Sequence, residues 1–396
     1  MKPKNFTRRR FLASISTVSV SAVIPNLMSG FGSRVSLMST PTHYTADSPL
    51  FEENLVVKFP RAVHGYRGNM GDFILLKDGS LMMSYTSLDV EGINSPGIEA
   101  IKSSDLGKTW DEPFTVIPKP RQPNAKGIFR HPGFIRLPNG EILISYIYNT
   151  LPSTPYYGHS YYRRSDDEGQ TWGDQFILTP HPGLVNLHND RLQILSTGRI
   201  LAIAEYKAYM PDTNDQSGYV GISFFSDDMG YGWQVSKNTV DMYPIEVQEP
   251  DAVELKDGRI LMFGRTYSGH PVRAYSSDGG ETWGKGEEIM ELNMPYAGLP
   301  TVRRIPSTGD LLFIWITEKS IDKTDPKILR RCALSSAISQ DEGKTFIHQR
   351  NIAHDPDDDF GYQCIEFVKG DIAIMGYHCR DGIRVARIGI DWFYGK

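Results

Sequence analysis

The sequence predicts an all-β protein, a six-bladed β-propeller, and two repeated patterns support this prediction. The first pattern is a box that reads Ser-x-Asp-x-Gly-x-x-Trp or Phe and occurs five times, with its aspartates at 105, 167, 228, 278 and 341. Successive boxes are thus about 60 residues apart, a period that indicates a repeated supersecondary unit. Such a unit buries its apolar face only against its neighbours.

The second pattern gives the number of units. Six segments consist of an apolar strand, a tight turn that ends in glycine and another apolar strand, as in LLKDGSLMMSY and ELKDGRILMFG. Asp-Gly or Asn-Gly between alternating apolar runs is a strong hairpin signal. The six turn glycines are Gly79, Gly140, Gly198, Gly258, Gly309 and Gly370.

The sixth hairpin differs from the others because no box follows it. It is followed instead by the apolar run GIRVARI at 382–388. We therefore expect a strand from about Leu55 to Phe59 to complete the last blade. Closing the ring in this way leaves only short, protected sheet edges.

The boxes are expected to be structural. Their Asp and Ser side chains can bond the backbone of the turn while the aromatic residue packs between neighbouring sheets. Because five equal copies stabilise every blade alike, they do not mark a single reaction centre. A site for chemistry needs unlike residues that converge once.

Composition excludes some classes of function. The chain has 396 residues, of which 22% are charged, and a formal net charge of −5, so it lacks the basic footprint of a nucleic-acid-binding protein. Cys332, Cys364 and Cys379 are too few for a disulfide framework, although one pair could form after export. The sequence has no cluster of Cys and His at finger-like spacing, so no metal or other cofactor is predicted.

The N-terminal region predicts export. The run Thr7–Leu12 contains consecutive arginines and is followed by a short, weakly hydrophobic segment, Ala13–Ile24. This pattern resembles a twin-arginine signal, so we assign residues 1–40 to an export leader and 50–396 to the propeller, working in the periplasm or outside the cell. The segment is too short and polar for a stable membrane span. An uncleaved N-terminal anchor is the alternative.

A ligand site is expected at one mouth of the central channel. Polar residues at the entry to otherwise apolar strands are costly unless they are paired or wet. Counting from each turn glycine places the following residues at this mouth: Asn69, Asp72, Arg130, His131, His188, Asp190, Glu249, Asp251 and Tyr362 before the turns, and Glu205, Tyr206, Arg265, Tyr377 and His378 after them. Together they predict a ring of acids, cations, imidazoles and phenols around one pocket.

From about residue 60 onward the chain resembles the sialidase superfamily. The boxes carry this resemblance, as do QEPDAVELKDGRILMFGRT and GYQCIEFVKGDIAIMGYH. The resemblance implies a tyrosine nucleophile activated by a glutamate, a carboxylic acid that serves as acid/base, and three arginines that bind the substrate carboxylate. By motif position Tyr362 matches the nucleophile, Glu249 the activating glutamate and Arg265 one of the arginines.

The other implied positions match the pattern less closely. Arg67, in GYRGNMGDFILL, is a near match to a second arginine, and Asp89 is available as the acid/base. The segment MPYAGLPTVRRIP offers Tyr296 and Arg304 as further substrate-binding candidates, and His378 is another.

Elementary chemistry supports the roles of the three matching residues. A phenol with a pKa of about 10 is a poor nucleophile at neutral pH, so a neighbouring carboxylate has to take its proton. A phenol also repels an anionic sugar less than a carboxylate nucleophile would. A guanidinium offers a two-pronged partner for the substrate's carboxylate.

The histidines leave a second reading open. Some propellers of similar construction are lyases that eliminate beside a uronic acid, for example in ulvan or rhamnose-glucuronate glycans. In that case His131 or His188 would act with Tyr362 or Tyr206 as base and acid, and Arg265 or Arg191 would neutralise the uronate. A calcium ion in the channel is compatible with that class.

A third reading is a glycan-binding propeller without catalysis, in which tyrosines at 156, 157, 161 and 162 would provide stacking platforms. The leading hypothesis is an exported, exo-acting enzyme that hydrolyses the glycosidic bond of an acidic terminal sugar. Its expected partner is an acidic oligosaccharide or polysaccharide.

Overall fold

The computed structural model describes residues 49–59, 69–87, 97–119, 126–151, 158–208, 218–295 and 298–396. These residues form six antiparallel sheets and one short helix, so the predicted six-bladed propeller is confirmed. The predicted export leader at 1–40 lies outside the described residues. Within them, no helix is long and apolar enough to cross a membrane.

The chain enters the propeller through one strand and then builds the first three blades in order. The entering strand is β1 (Phe51–Lys58). Blade 1 contains β2 (Met70–Leu75), β3 (Leu81–Ser87), β4 (Gly97–Ser103) and β5 (Phe114–Pro118). Blade 2 contains β6 (Lys126–Arg136), β7 (Ile142–Leu151), β8 (Ser160–Ser165) and β9 (Phe176–Ile177). Blade 3 contains β10 (Leu184–Asn186), β11 (Leu192–Ile194), β12 (Ile200–Lys207), β13 (Val220–Ser226) and β14 (Gln234–Val235).

The last three blades follow the same plan. Blade 4 contains β15 (Gln248–Glu254), β16 (Ile260–Arg265), β17 (Val272–Ser276) and β18 (Glu287–Glu288). Blade 5 contains β19 (Thr301–Arg304), β20 (Leu311–Ile321), β21 (Leu329–Ser339) and β22 (Ile347–His354). Blade 6 contains β23 (Gly361–Val368), β24 (Ile372–Cys379) and β25 (Gly382–Gly389), and the helix α1 (Ile390–Phe393) follows it.

The ring closes as the sequence indicates. Strand β1 pairs with β25 and supplies the fourth strand of blade 6. The innermost strands contact one another in cyclic order, from β2 through β6, blade 3, β15 and β19 to β23, which contacts β2 again. Residues far apart in sequence therefore meet around the axis.

The turn glycines adopt the conformation for which glycine is needed. All six have φ between 73° and 91°, the left-handed region that a tight hairpin turn requires. In each box the serine hydroxyl accepts the N–H of the box glycine at 2.7 to 2.9 Å and donates to the box aspartate. The boxes thus stabilise their turns as predicted.

The box aromatics and the apolar strands form the cores between blades. Trp110 packs with Phe73 of its own blade and Ile374 of blade 6. Trp283 packs among residues of blades 3 and 4 and donates from its indole to Ser223 of blade 3 at 2.8 Å. The three cysteines are buried free thiols, so the disulfide that the sequence allowed is not formed.

Candidate active site

Three inner strands carry the same distortion at the channel mouth. In β6, β15 and β23 a bulge shifts the register of pairing with the next strand, and one residue within each bulge has a left-handed backbone. These residues are His131 (φ 50°), Glu249 (φ 47°) and Tyr362 (φ 51°). A non-glycine residue in this region costs about 1–3 kcal/mol, and bulges commonly re-aim side chains next to active sites. The bulges of blades 2, 4 and 6 bring these three side chains to one cluster.

Tyr362, Glu249 and Arg265 form one hydrogen-bonded chain. The phenol of Tyr362 donates to Glu249 Oε1 at 2.9 Å, and Arg265 Nη1 donates to Glu249 Oε2 at 2.6 Å. Arg265 ends β16 opposite Gln248, and its guanidinium also donates to the Gln248 side chain. The structure therefore brings together the three residues that matched the family motif.

Electrostatics set the protonation states of this chain. Burial, together with the negative charge of Glu249, raises the pKa of the Tyr362 phenol to about 12. Burial alone would raise the pKa of the Glu249 carboxyl, but the charges of Arg265 and Arg331 hold it well below its usual range. At neutral pH the site therefore holds a neutral phenol against an ionised carboxylate.

Arg331 is a site residue that the sequence analysis missed. It lies on β21 of blade 5, and its guanidinium carbon is 5.1 Å from the centre of the Tyr362 ring. Its backbone N–H donates to Asp359 at 3.0 Å. A side chain on Gly361 would come within 2.9 Å of Arg331 Nη1, so the glycine before Tyr362 leaves room for this cation. The available sequence signal was the dipeptide Arg330-Arg331. Of these two residues, Arg330 forms an ion pair with Asp322, and Arg331 lies at the site.

Two imidazoles flank the phenol. The ring of His131 stacks on that of Tyr362, with centroids 5.0 Å apart and planes 25° from parallel. The ring of His188 lies 4.5 Å from that of His131 and 6.2 Å from that of Tyr362. His188 follows β10, where the inner strand of blade 3 is interrupted before β11. Burial, His188 and the charge of Arg130 hold the pKa of His131 well below its ordinary value of 6.5.

Glu205 connects these imidazoles to the hydrogen-bonded chain. Its Oε2 accepts the backbone N–H of Glu249 at 3.0 Å, which fixes the left-handed residue of the blade 4 bulge. Its Oε1 accepts from Asn186 at 2.8 Å and lies 3.5 Å from His188 Nε2. The sequence placed Glu205 at the mouth but did not assign it a role.

Arg191 and Tyr206 do not join the cluster. The guanidinium of Arg191 is fully buried, pairs with Asp190 and lies 3.4 Å from Asp251. Tyr206 follows Glu205 on β12 and so points to the opposite face, where it packs on the blade 3 core with its ring 4.8 Å from that of His181. These placements argue against the predicted roles of both residues at the substrate.

Arg304 lies at the other end of its blade. It is near the β19–β20 turn, where its guanidinium donates to Glu342 at 2.8 and 2.9 Å and to the carbonyl of Gly309 at 2.7 Å. Its guanidinium also donates to the carbonyl of Glu254 in blade 4 at 2.8 Å, so Arg304 links blades 4 and 5, and this placement does not support its predicted contact with substrate. His378 is buried on β24, opposite Gly361 in the ladder, and so lies beside the residue that precedes Tyr362.

The remaining predicted positions, Arg67, Asp89 and Tyr296, lie outside the described residues. Their assignments as a clamp arginine, the acid/base and a substrate contact stay predictions. Among the described residues, one group has the donor types of a metal site, Glu318, Cys332 and His354 of blade 5. Thiol and imidazole donors do not suit calcium, which prefers oxygen ligands.

Fold and site together define the class. A six-bladed propeller with boxes at its turns, whose channel mouth holds a phenol, a carboxylate and guanidinium groups in contact, is a propeller of the sialidase superfamily. The family model described as a BNR repeat-like domain matches residues 130–372, and the chain belongs to this family.

Individual relatives agree with this assignment. The chain is 27% identical over 285 residues to a sialidase of Micromonospora viridifaciens, an alignment that covers 65% of this chain and 42% of that protein. The chain thus spans less than half the length of this curated relative.

Two solved structures share the fold. A Hadza microbial sialidase superposes with a TM-score of 0.66 at 17% identity, over 83% of this chain and 67% of that one. A Trypanosoma rangeli sialidase, solved with 2,3-difluorosialic acid as a covalent intermediate, gives a TM-score of 0.60 at 12% identity, over 83% of this chain and 55% of that one.

Proposed function

We propose that this protein is an exported glycoside hydrolase of the sialidase type, which removes an acidic terminal sugar from an oligosaccharide or polysaccharide. The observation that carries the proposal is the 2.9 Å hydrogen bond from Tyr362 to Glu249, with Arg265 on the same carboxylate. A phenol held against an ionised carboxylate is the arrangement that a tyrosine nucleophile requires.

In the first step the Tyr362 oxygen bonds to the anomeric carbon while the glycosidic C–O bond breaks. Glu249 accepts the phenol proton, and the leaving oxygen takes a proton from a carboxylic acid, the role predicted for Asp89. In the second step water attacks the anomeric carbon and the bond to Tyr362 breaks. The phenolate then regains its proton from Glu249, and the predicted Asp89 carboxylate takes the proton of the water.

The cations make the reaction selective for an acidic sugar. Arg265 and Arg331 hold the pKa of Glu249 low in the free protein, so that carboxylate is a weak base there. A substrate carboxylate bound to these guanidinium groups would neutralise part of their charge and raise the proton affinity of Glu249. Binding of the correct substrate thus strengthens the base that activates the nucleophile.

Sialic acid is the first substrate to test, because a structural neighbour holds a sialic acid derivative as a covalent intermediate. The hydrolase is favoured over the uronate lyase because it uses the contact between Tyr362 and Glu249, a carboxylate to which the lyase reading assigns no role. Of the lyase candidates, Arg191 and Tyr206 lie outside the cluster, while the others lie within it. Export rests on the N-terminal Thr7–Leu12 run and its apolar segment.

The proposal is tested with sialylated and uronate-containing glycans, scoring both released acidic sugar and new carbon–carbon double bonds. The hydrolase releases the free sugar, and Tyr362→Phe is inactive. An unsaturated product would establish the lyase. Binding of the glycans without any product would establish a glycan-binding propeller.

A further inference from the structure

Three ring nitrogens of the histidine pair are buried without a hydrogen-bond partner. His131 is 5% exposed and His188 is 4% exposed. Neither His131 Nδ1 nor either ring nitrogen of His188 makes a hydrogen bond within the described residues, and the approach of His188 Nε2 to Glu205 is 3.5 Å. Buried polar atoms are costly when unpaired, so such a pair beside the candidate nucleophile is prepared for a ligand group.

The position of the pair identifies which part of a ligand it meets. His131 stacks directly on the Tyr362 ring, and His188 lies against both rings. A sugar whose anomeric carbon is within bonding distance of the Tyr362 oxygen therefore presents a ring substituent to the imidazoles. The carboxylate of that sugar would bind to other groups, namely the guanidinium groups of Arg265 and Arg331 beside Glu249 and Tyr362.

The chemistry of the imidazoles favours a neutral substituent. His131 is neutral near pH 7 because burial and its neighbours lower its pKa. A neutral imidazole offers one N–H donor and one acceptor nitrogen, which matches a hydroxyl that both donates and accepts.

We propose that His131 and His188 form a subsite that binds one ring hydroxyl of the acidic sugar whose anomeric carbon faces Tyr362. This inference rests on the proposed function and extends it, because it makes the protein selective among acidic sugars by a hydroxyl as well as by the carboxylate. The histidines are then binding groups and take no proton in the reaction.

The test compares an aryl sialoside with its monodeoxy analogues, each lacking one ring hydroxyl. In the wild-type protein we expect one analogue to lose at least about 100-fold in kcat/KM, because a site built to bind a hydroxyl rejects the analogue without it. His188→Phe keeps the aromatic contacts and removes both nitrogens. For this variant, kcat/KM on the parent sialoside should fall about 10- to 100-fold. Its kcat/KM on that one analogue should not fall below the value of the wild-type protein.

Further variants separate binding from folding. His188→Gln, which restores a donor and an acceptor, should recover part of the discrimination. His131→Asn keeps a residue that tolerates the left-handed backbone and should also reduce discrimination. His348→Asn is the matched control for His131→Asn, since His348 is exposed, has φ 55° and contacts Tyr394 outside the site. It should behave as wild type.

Two results would overturn the subsite and leave the hydrolase standing. One is an equal fall in the kcat/KM of His188→Phe on the parent sialoside and on every analogue, which indicates a structural or proton-transfer role. The other is unchanged discrimination in His188→Phe. Failure of the wild-type protein to release an acidic sugar from any sialylated or uronate-containing glycan would instead reject the proposed function and the subsite with it.

Discussion

The phenol of Tyr362 in blade 6 donates to the carboxylate of Glu249 in blade 4 at 2.9 Å, although 113 residues separate them in sequence. Both side chains come from bulged inner strands with left-handed backbones at these positions. The contact depends on the arrangement of the blades around one axis, since neither blade contains both halves of the pair.

Tyr362→Phe should abolish hydrolysis while leaving the protein folded. The substitution removes the nucleophilic oxygen and keeps the ring that stacks on His131. We expect kcat/KM for an aryl sialoside to fall roughly a thousandfold or more, with an unchanged far-ultraviolet circular dichroism spectrum. Activity within threefold of wild type would exclude Tyr362 as the nucleophile.

Arg265→Met should destabilise the protein more when made alone than in the presence of Glu249→Gln. Alone, it leaves the buried Glu249 carboxylate without its 2.6 Å partner, which costs about 3–5 kcal/mol. Neutralising Glu249 as well should restore part of this loss in the free energy of unfolding, measured in urea as a double-mutant cycle. Strictly additive changes would show that the two groups do not interact.

The stability of the protein should depend on the protonation of His131 below neutral pH. Its folded-state pKa is lower than the ordinary 6.5, mainly because of burial. Below about pH 6.5 the unfolded chain therefore binds a proton here that the folded chain does not, so the free energy of unfolding falls as pH falls. The contribution is at most about 1.4 kcal/mol per pH unit.

His131→Asn should flatten this dependence. The groups whose charges act on the pKa of His131, namely His188, Arg130, Glu249 and Arg191, remain in the variant, so the difference between the two proteins isolates one imidazole. Thermal unfolding measured from pH 7 to pH 5 should show a smaller decrease of Tm in the variant. Parallel curves would mean that the pKa of His131 is the same in the folded and unfolded states, which would contradict the prediction.

Arg304→Ala should reduce stability without changing catalysis. Its bonds to Glu342 and Gly309 are repeated in blade 2, where Arg136 donates to Glu168 and to the carbonyl of Gly140. Each of Arg304→Ala and Arg136→Ala should lower the free energy of unfolding by about 1–2 kcal/mol. A fall in kcat/KM in Arg304→Ala but not in Arg136→Ala would show that Arg304 takes part in substrate binding or catalysis.

The fold was predictable because its signals are local and repeated. Each turn glycine has the positive φ that a tight hairpin needs, and each box bonds its own turn. The tyrosine, glutamate and arginine of the site were predictable from motif position. The bulges that orient Tyr362 and Glu249 were not predictable, because one extra residue in a strand gives no recognisable pattern in a single sequence.

The same distortions explain the residues that were misplaced. Counting from a turn glycine assumes unbroken alternation, but the inner strand of blade 3 is interrupted between β10 and β11, and there Arg191 is buried against Asp190 and Asp251. Choosing between the neighbours Glu205 and Tyr206 required knowing which face of β12 points to the site. Arg331 could not be distinguished from Arg330 for the same reason.

The most direct measurement is covalent trapping of the nucleophile. The wild-type protein is incubated with 2,3-difluorosialic acid, digested and analysed by tandem mass spectrometry, with Tyr362→Phe treated in parallel. We predict one glycosyl adduct on the peptide that contains Tyr362, and no adduct in the variant. An adduct on a carboxylate, or turnover to an unsaturated sugar without any adduct, would contradict catalysis by the Tyr362–Glu249 pair.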